Sequence, residues 1–226
     1  KFQEKILEKI PQKKLNTLLQ IPILNRIVKS KLQKKLGLKN SSITISGAAP
    51  LSIEMIEWFQ KIGIEILQIY GMTEDCCISH FNLINNNKIG TVGKMLPGVT
   101  VKLSPEGEIC IKNNCIMKGY FKAPELTAAI FDSEGFLKTG DIGTYDSEGY
   151  LTITGRIKDQ FKTDKGKYIS PAPIELTLSE NPNIEQICIV GTGIPQPIAL
   201  VTKSELGNIA SKSDLTESLS KAISDV

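Results

Sequence analysis

The sequence contains a single histidine, His80, and its cysteines form neither a CxxC pair nor another metal-ligand spacing. These counts and spacings argue against a zinc site and against a Cys/His or Ser/His/Asp catalytic machine. Since no spacing points to a disulfide framework, we expect each cysteine to be a small core residue in a reducing compartment. The cysteines are Cys76, Cys77, Cys110, Cys115 and Cys188.

The chain also has little net charge and few aromatic residues. Its 27 Lys and Arg against 24 Asp and Glu leave a formal net charge of +3, and aromatic residues make up 6%. We therefore expect no nucleic-acid partner, because the basic residues are not interleaved with aromatic ones. No apolar run approaches the roughly 20 residues that span a bilayer, and no signal segment opens the chain. The sequence predicts a cytoplasmic protein.

Residues 1–39 are an exception to this charge balance, because they are rich in lysine and contain only Glu4 and Glu8 as acidic residues. Apolar positions recur at helical spacing, and Pro11, Pro22 and Gly37 divide the stretch into two or three helices. A solvated basic face above a core-facing apolar face explains this pattern. Peripheral membrane contact through the same basic helices, residues 1–39, stays open as the alternative.

Beyond residue 40 the pattern predicts an α/β fold with α+β parts. Apolar runs at 43–46 and 64–69 flank a helix over 52–61, which forms a strand–helix–strand unit. Short β-like runs then predict a small β-barrel or curled sheet, with strands at 99–103, 108–111, 136–138 and 142–146 and one helix at 124–131. A β/α segment follows, with a helix after Pro173, strands at 184–190 and 198–201, and a last helix from about Asp214.

Two turns after β-like runs carry candidate chemistry. The turn at 47–50, Gly-Ala-Ala-Pro, is bare enough for a flat ring, but small-residue turns also occur for purely structural reasons. The turn at 70–74, Tyr-Gly-Met-Thr-Glu, offers a ring, a hydroxyl and a carboxylate, which could stack a base, bind phosphate and hold Mg²⁺. A helix N-cap at Thr73 with Glu74 in the first helical turn explains the second motif equally well.

The second turn matches the YGxTE signature of the adenylate-forming, or AMP-binding, superfamily, which includes acyl-CoA synthetases, luciferases and peptide-synthetase adenylation domains. Further motifs of that family follow in order. The sequence resembles the family's adenine-side turn at 47–51, its barrel segment at 107–127, its TGD motif at 139–141 and its hinge at 155–159. Segments 158–163 and 167–175 resemble the long-chain fatty acyl-CoA synthetase branch.

This resemblance implies two domains and a role for each nucleotide-site residue. Residues 1–157 would be the end of a large AMP-binding domain, with an α/β layer and a small β-barrel, and 158–226 an incomplete, small, mobile C-terminal β/α domain. Thr73 would contact ATP phosphate and Glu74 would bind Mg²⁺. Asp141 would accept hydrogen bonds from both ribose hydroxyls, as a carboxylate can. The remaining nucleotide contacts would come from Gly47, Ala48, Ala49, Tyr70, Gly71 and Arg156.

Two lysines complete the implied site. Lys158 occupies the family's hinge position, where a few backbone torsions would swing the small domain between two reaction steps. Lys162 aligns with a lysine that in relatives lies near the acyl-transfer site after that rotation. A solvated basic face around Lys162 is the alternative explanation.

The implied reaction has two steps. A long-chain fatty acid attacks the α-phosphorus of ATP, with Mg²⁺ and cations offsetting the charge, to give acyl-AMP and pyrophosphate. The thiol of coenzyme A then accepts the acyl group and AMP leaves. Two alternatives stay open, a fatty acyl-AMP ligase that donates to a carrier protein and a non-catalytic module that binds adenine nucleotide or a partner.

Two elements of the family have no counterpart in this sequence, namely the phosphate loop ending in Pro-Lys-Gly and the late catalytic lysine. We therefore expect a fragment of a longer protein that is inactive by itself. Apolar surface exposed by the missing part would favour a homodimer as an artefact of truncation.

Overall fold

The computed structural model describes residues 12–224, so the predicted helical segment before Pro11 lies outside the described residues. The chain divides into two compact units, one formed by Lys1–Ile45 and Ile53–Leu67 and the other by Ser46–Ser52 and Gln68–Val226. Within the described residues, no helix has the length and apolar character needed to cross a membrane.

The described part of the first unit contains three helices, α1 (Gln12–Gln20), α2 (Pro22–Lys35) and α3 (Ile53–Lys61). The predicted break at Pro22 is confirmed, because this proline begins α2, where its missing N–H costs nothing. The side-chain amide of Gln33 donates to the Ile62 carbonyl at 2.9 Å and links α2 to the end of α3. The apolar core of this unit contains the buried side chains of Leu15, Leu32, Ile56, Trp58, Ile62, Ile64, Ile66 and Leu67.

A first sheet has the strand order β1-β2-β3-β4, with β1 at Thr44–Ser46, β2 at Ile66–Tyr70, β3 at His80–Phe81 and β4 at Lys94–Met95. The two predicted apolar runs form β1 and β2. Strands β3 and β4 have two residues each and show no periodicity that would reveal them. Antiparallel pairing of β2 with β3 sets Tyr70 opposite His80.

A second, antiparallel sheet contains β5 (Thr100–Leu103), β6 (Glu108–Lys112), β7 (Leu137–Tyr145) and β8 (Leu151–Arg156) in sequence order. It corresponds to the segment predicted as a small barrel or curled sheet. Val99, Ile109, Ile111 and Leu151 form its buried cluster.

The predicted strands at 136–138 and 142–146 are one strand, β7, that runs through Gly140. The register of β7 against β6 explains why a glycine occurs within this strand. Glu108 is opposite Ile142 whereas Cys110 is opposite Lys138, so β7 carries two more residues than β6 over this stretch. The extra residues form a bulge, and Gly140 adopts a φ of +74° within it. The bulge interrupts the regular pairing of β7 with β6 just before Asp141, while Asp141 stays opposite Arg156 of β8.

The last part of the chain contains two hairpins and three helices. Strands β9 (Phe161–Lys162) and β10 (Tyr168–Ile169) form the first hairpin, and β11 (Ile184–Val190) and β12 (Ile198–Lys203) form the second. The three helices of this part are preceded in the chain by α4 (Pro124–Ala129), which lies between β6 and β7. They are α5 (Pro171–Leu178), α6 (Glu205–Ile209) and α7 (Lys212–Ser224). The predicted helices after Pro173 and near Asp214 are therefore confirmed and begin two residues earlier.

The expectation that all cysteines are core residues is wrong. All five are free thiols, and Cys110 is buried while the other four are exposed. Cys76 and Cys77 lie in a tight turn with φ values of 60° and 56°, and Cys188 lies on an outward-facing position of β11. Turn and outward strand positions cannot be distinguished from core positions by cysteine spacing alone.

Candidate functional site

The turn after β1 is shaped by the close approach of β2. A Cβ added at Gly47 would lie 2.7 Å from Cγ2 of Ile69, so a larger residue would push the two segments apart. Ala48 has a φ of +68°, which residues with side chains rarely adopt. Ala48 and Ala49 are exposed. The turn therefore presents a bare surface of backbone and methyl groups, which is compatible with the predicted contact with a flat ring.

The turn after β2 is equally constrained. A Cβ at Gly71 would lie 2.5 Å from Cα of Cys77, so the chain can fold back here only with glycine. Thr73–Asp75 then form a single 3₁₀ turn, and the residue before it is Met72. Thr73 is therefore not the N-cap that the alternative interpretation required, and its side chain is exposed.

Asp75 holds this turn together and was missed by the sequence analysis. Its carboxylate accepts hydrogen bonds from the backbone N–H groups of Met72 at 2.8 Å and Cys77 at 3.0 Å. The side chain is fully buried, and this burial raises the pKa of Asp75. Asp75 follows the YGxTE motif directly, and aspartate often accepts backbone hydrogen bonds in turns, so this position could have been predicted from the sequence.

Glu74 is half-buried and projects from the same turn. The hydroxyl of Tyr120 donates to Oε1 of Glu74 at 2.7 Å, and this hydrogen bond raises the pKa of Tyr120. Residues 12–224 contain no group of three or more His, Cys, Asp and Glu residues that could hold a metal ion alone. Mg²⁺ usually binds one or two carboxylates and completes its shell with phosphate oxygens and water, so Glu74 fits that use.

The second half of the site is centred on Asp141, which is only 7% exposed. Oδ2 accepts a hydrogen bond from the Tyr70 hydroxyl at 2.9 Å, and Oδ1 accepts one from Nε of Arg156 at 2.8 Å. Burial, followed by the negative charge of Asp141, raises the pKa of Tyr70. The structure thus brings together three predicted site residues from β2, β7 and β8. Each oxygen keeps a further lone pair, so the predicted bonds to ribose hydroxyls remain available.

The bulge that carries Asp141 is stabilised by two further side chains. The carboxylate of Glu108 accepts a hydrogen bond from the Gly140 N–H at 2.9 Å. The Thr139 hydroxyl donates to the Ile109 carbonyl at 2.8 Å and accepts from the Asp141 N–H at 3.1 Å. Glu108 lies in a quoted family motif, but its role depends on a strand register that the sequence does not reveal.

His80 lies opposite Tyr70 and is fully buried. Its Nδ1 is 2.7 Å from the Ser79 hydroxyl, its Nε2 is 2.6 Å from the Tyr145 hydroxyl, and its ring centroid is 6.0 Å from that of Tyr70. Burial lowers the pKa of His80 to about 4 and raises the pKa of Tyr145 to about 12. A neutral imidazole therefore packs beside Tyr70.

Lys158 and Lys162 are not joined to the Asp141 cluster by any hydrogen bond or ion pair among the described residues. Lys158 is exposed in a 3₁₀ turn, Ile157–Asp159, that follows Arg156 directly. Lys162 is exposed in β9, and its Nζ lies 5.4 Å from the ring centroid of Tyr168. Their predicted roles as hinge and acyl-transfer residue therefore remain predictions.

Comparison with known protein families gives two matches along the chain. The profile of the family described as AMP-binding enzyme matches residues 2–121. The profile described as AMP-binding enzyme C-terminal domain matches residues 158–226.

Curated relatives are similar to more than three quarters of the chain. A Mycobacterium tuberculosis protein named as a fatty-acid–CoA ligase, fadD11, is 39% identical over 178 residues, which are 78% of this chain and 31% of the relative. The long-chain-fatty-acid–CoA ligase FadD15 of Mycobacterium bovis is 36% identical over 180 residues, covering 80% and 30% of the two chains. The chain thus spans about a third of the length of these relatives.

A solved structure shares the fold over nearly the whole chain. The crystal structure of an ATP-bound RpMatB–BxBclM chimera superimposes with a TM-score of 0.71 at 29% identity, covering 95% of this chain and 46% of the other. This likeness confirms the predicted fold class, with helices and sheets mixed along the chain.

Proposed function

Because this chain belongs to the family of AMP-binding enzymes, we propose that the protein it forms part of activates a long-chain fatty acid with ATP and transfers the acyl group to coenzyme A. It would thus be an acid–thiol ligase. The observation that carries the proposal is the hydrogen-bonded set of Tyr70, Asp141 and Arg156 next to two glycine turns. The names of the fatty-acid–CoA ligases to which the chain is similar support the substrate class.

In this proposal the nucleotide is bound by residues of the second unit. Asp141 accepts hydrogen bonds from the ribose hydroxyls, and Tyr70, already tied to Asp141, lies beside adenine together with Gly71. The turn of Gly47, Ala48 and Ala49 provides the bare backbone for the ring. Arg156, whose side chain is 67% exposed, extends the cationic side of the pocket toward the ribose.

Thr73 and Glu74 serve the phosphate end of the nucleotide. The exposed Thr73 hydroxyl donates to a phosphate oxygen, and Glu74 supplies a carboxylate to Mg²⁺. When bound, Mg²⁺ would offset the charge of the phosphates that repels the incoming fatty carboxylate. Thr73, Glu74, Asp141 and Arg156 occur together, and a purely structural remnant has no physical need of that combination, which favours the enzyme over a non-catalytic module.

The small domain serves the second step of the proposed reaction. Lys158 acts as the hinge at the boundary between residues 1–157 and 158–226, and the family profile that begins at residue 158 supports this boundary. Lys162 approaches the acyl-transfer site after rotation and helps coenzyme A displace AMP. Since the sequence lacks counterparts of the phosphate loop and the late lysine, the chain by itself is inactive in this proposal.

The proposed protein acts in the cytoplasm, and its basic N-terminal helices allow peripheral contact with an anionic membrane. Exposed apolar side chains on α2, such as Ile23 and Ile27, provide surface through which this chain alone would form a homodimer.

The test uses the complete protein with a panel of fatty acids, ATP and Mg²⁺, with and without coenzyme A. Mass spectrometry would measure acyl-AMP and acyl-CoA separately. We expect long-chain acyl-CoA only when coenzyme A is present. Acyl-AMP that accumulates and is passed only to a carrier-protein thiol would instead support the fatty acyl-AMP ligase. Absence of both products, with nucleotide still bound, would support the non-catalytic module.

A further inference from the structure

We propose that Tyr120 is a positioning residue that orients the carboxylate of Glu74 toward a divalent cation. The inference rests on the proposed function, because that function gives Glu74 its role toward Mg²⁺·ATP. Tyr120 belongs to residues 113–123, here called the strap, which connects β6 to α4.

The contact between the two side chains is direct. The Tyr120 hydroxyl donates to Oε1 of Glu74 at 2.7 Å, while Oε2 has no hydrogen-bond partner among residues 12–224. A carboxylate that is tied through one oxygen loses much of its rotational freedom and keeps the other oxygen open for a ligand. Because Glu74 is only half-buried, packing alone does not fix its side chain, which without Tyr120 would sample several rotamers.

Backbone contacts hold the strap against the turn that carries Glu74. The Met117 N–H donates to the Glu74 carbonyl at 2.7 Å. The thiol of Cys76 donates to the Cys115 carbonyl at 3.2 Å. These contacts fix the distance between the main chains of the strap and the turn, so the bond from Tyr120 to Glu74 joins segments that are already aligned.

The far end of the strap is fixed by α4. The Thr127 hydroxyl accepts a hydrogen bond from the Tyr120 N–H at 2.9 Å and donates to the Ala123 carbonyl at 3.0 Å. Gly119 adopts a φ of +149°, and a Cβ there would lie 2.9 Å from Oγ1 of Thr127. Glycine is required because the strap passes directly over the threonine. A continuous chain of contacts therefore runs from Thr127 through Tyr120 to Glu74.

The chemistry of Mg²⁺ makes this orientation matter. Mg²⁺ demands near-octahedral geometry and is usually held by only one or two protein carboxylates. Removing a hydrogen-bond donor that orients a metal ligand commonly weakens metal binding by roughly ten-fold or more. Replacing Tyr120 by Phe removes one hydroxyl and keeps the ring.

The experiment measures ATP binding to the complete protein by calorimetry over a range of Mg²⁺ concentrations. For Tyr120→Phe we expect a roughly ten-fold higher Mg²⁺ concentration at half-maximal enhancement of ATP binding, with unchanged ATP affinity when Mg²⁺ is absent. Thr127→Val should shift the Mg²⁺ dependence in the same direction by less. Tyr168→Phe, which removes a hydroxyl from an exposed tyrosine on β10, should behave as the wild type.

Two results would overturn the inference. One is an unchanged Mg²⁺ dependence for Tyr120→Phe in protein whose thermal unfolding is normal. The other is an equal loss of ATP affinity with and without Mg²⁺, because it would place Tyr120 on the nucleotide and not behind the metal ligand. Wild-type protein that binds no ATP at any Mg²⁺ concentration would be a distinct result, since it overturns the proposed function itself.

Discussion

The sheet β5–β8 and the hairpin β11–β12 differ in how completely their apolar side chains are covered. In the sheet, Ile109 and Leu151 are fully buried, whereas on β12 Ile198 is 52% and Leu200 56% exposed. The polar residues differ in the same way. Asp141, on β7, has both carboxylate oxygens hydrogen-bonded, whereas Lys162, in the part of the chain that contains the hairpin, is exposed.

This difference indicates which half of the proposed reaction the fold prepares in advance. Buried, hydrogen-bonded groups such as Asp141 have their orientation fixed before a ligand arrives, which is the condition for strong electrostatic recognition. Exposed side chains with few partners belong to the less stable parts of a protein, from which moving elements are drawn. We therefore propose that the nucleotide half is preformed, while the lysines reach their positions only through movement of the small domain.

Truncation of a leucine should destabilise the protein much more in the sheet β5–β8 than in the hairpin β11–β12. Leu151→Ala removes a fully buried side chain and should lower the free energy of unfolding by roughly 2–5 kcal/mol. Leu200→Ala should change it by no more than about 0.5 kcal/mol, because that side chain is mostly exposed. Chemical unfolding followed by circular dichroism measures both. Equal losses would mean that β12 is covered in solution and that the two regions do not differ in burial.

His80 gives the preformed half a pH dependence. Its pKa is lowered from 6.5 to about 4 in the folded protein, so between these pH values the unfolded state binds a proton that the folded state does not. The contribution of His80 to the free energy of unfolding is therefore complete above pH 6.5. It falls by on the order of 3 kcal/mol as the pH is lowered toward 4. In His80→Asn this slope should disappear. Unfolding curves over this pH range test it, and an unchanged slope would exclude His80 as its source.

Glu74→Gln tests the metal end of the preformed half. The change keeps the size of the side chain and removes its charge, so acyl-AMP formation by the complete protein should fall on the order of 100-fold. Stability should stay within about 0.5 kcal/mol because Glu74 is only half-buried. Glu57→Gln, at an exposed position of α3, is the matched control. Normal turnover of Glu74→Gln would remove the residue from the metal role.

Asp141 is expected to contribute to the binding of the nucleotide itself. Asp141→Asn should weaken AMP binding roughly ten-fold, because hydrogen bonds to a charged acceptor contribute about 1.5–3 kcal/mol and neutral ones less. Calorimetry with AMP measures the loss. If Asp141→Asn weakens AMP binding and Lys162→Ala leaves it unchanged, the sheet binds the nucleotide and the part of the chain with Lys162 does not. The opposite pattern would assign AMP binding to the part with Lys162.

The sequence predicted the elements and motifs better than it predicted their contacts. Helices and the longer strands follow from periodicity, but β3 and β4 are too short to show one, and the bulge at Gly140 looks like a strand end. Contacts such as Tyr120 with Glu74 join residues 46 positions apart, and only the register of the folded chain reveals them. The exposed cysteines were mispredicted because composition cannot separate a turn from a core position.

We propose that adenylation depends on the preformed set of Tyr70, Asp141 and Arg156, and that thioester formation depends on the exposed Lys162. The direct test is a single-turnover reaction of the complete protein carrying Lys162→Ala, with acyl-AMP and acyl-CoA followed separately by mass spectrometry. We expect acyl-AMP to form at the wild-type rate and to accumulate even when coenzyme A is added. Loss of acyl-AMP formation itself, with any residual acyl-AMP converted normally to acyl-CoA, would refute this division of roles between the Asp141 set and Lys162.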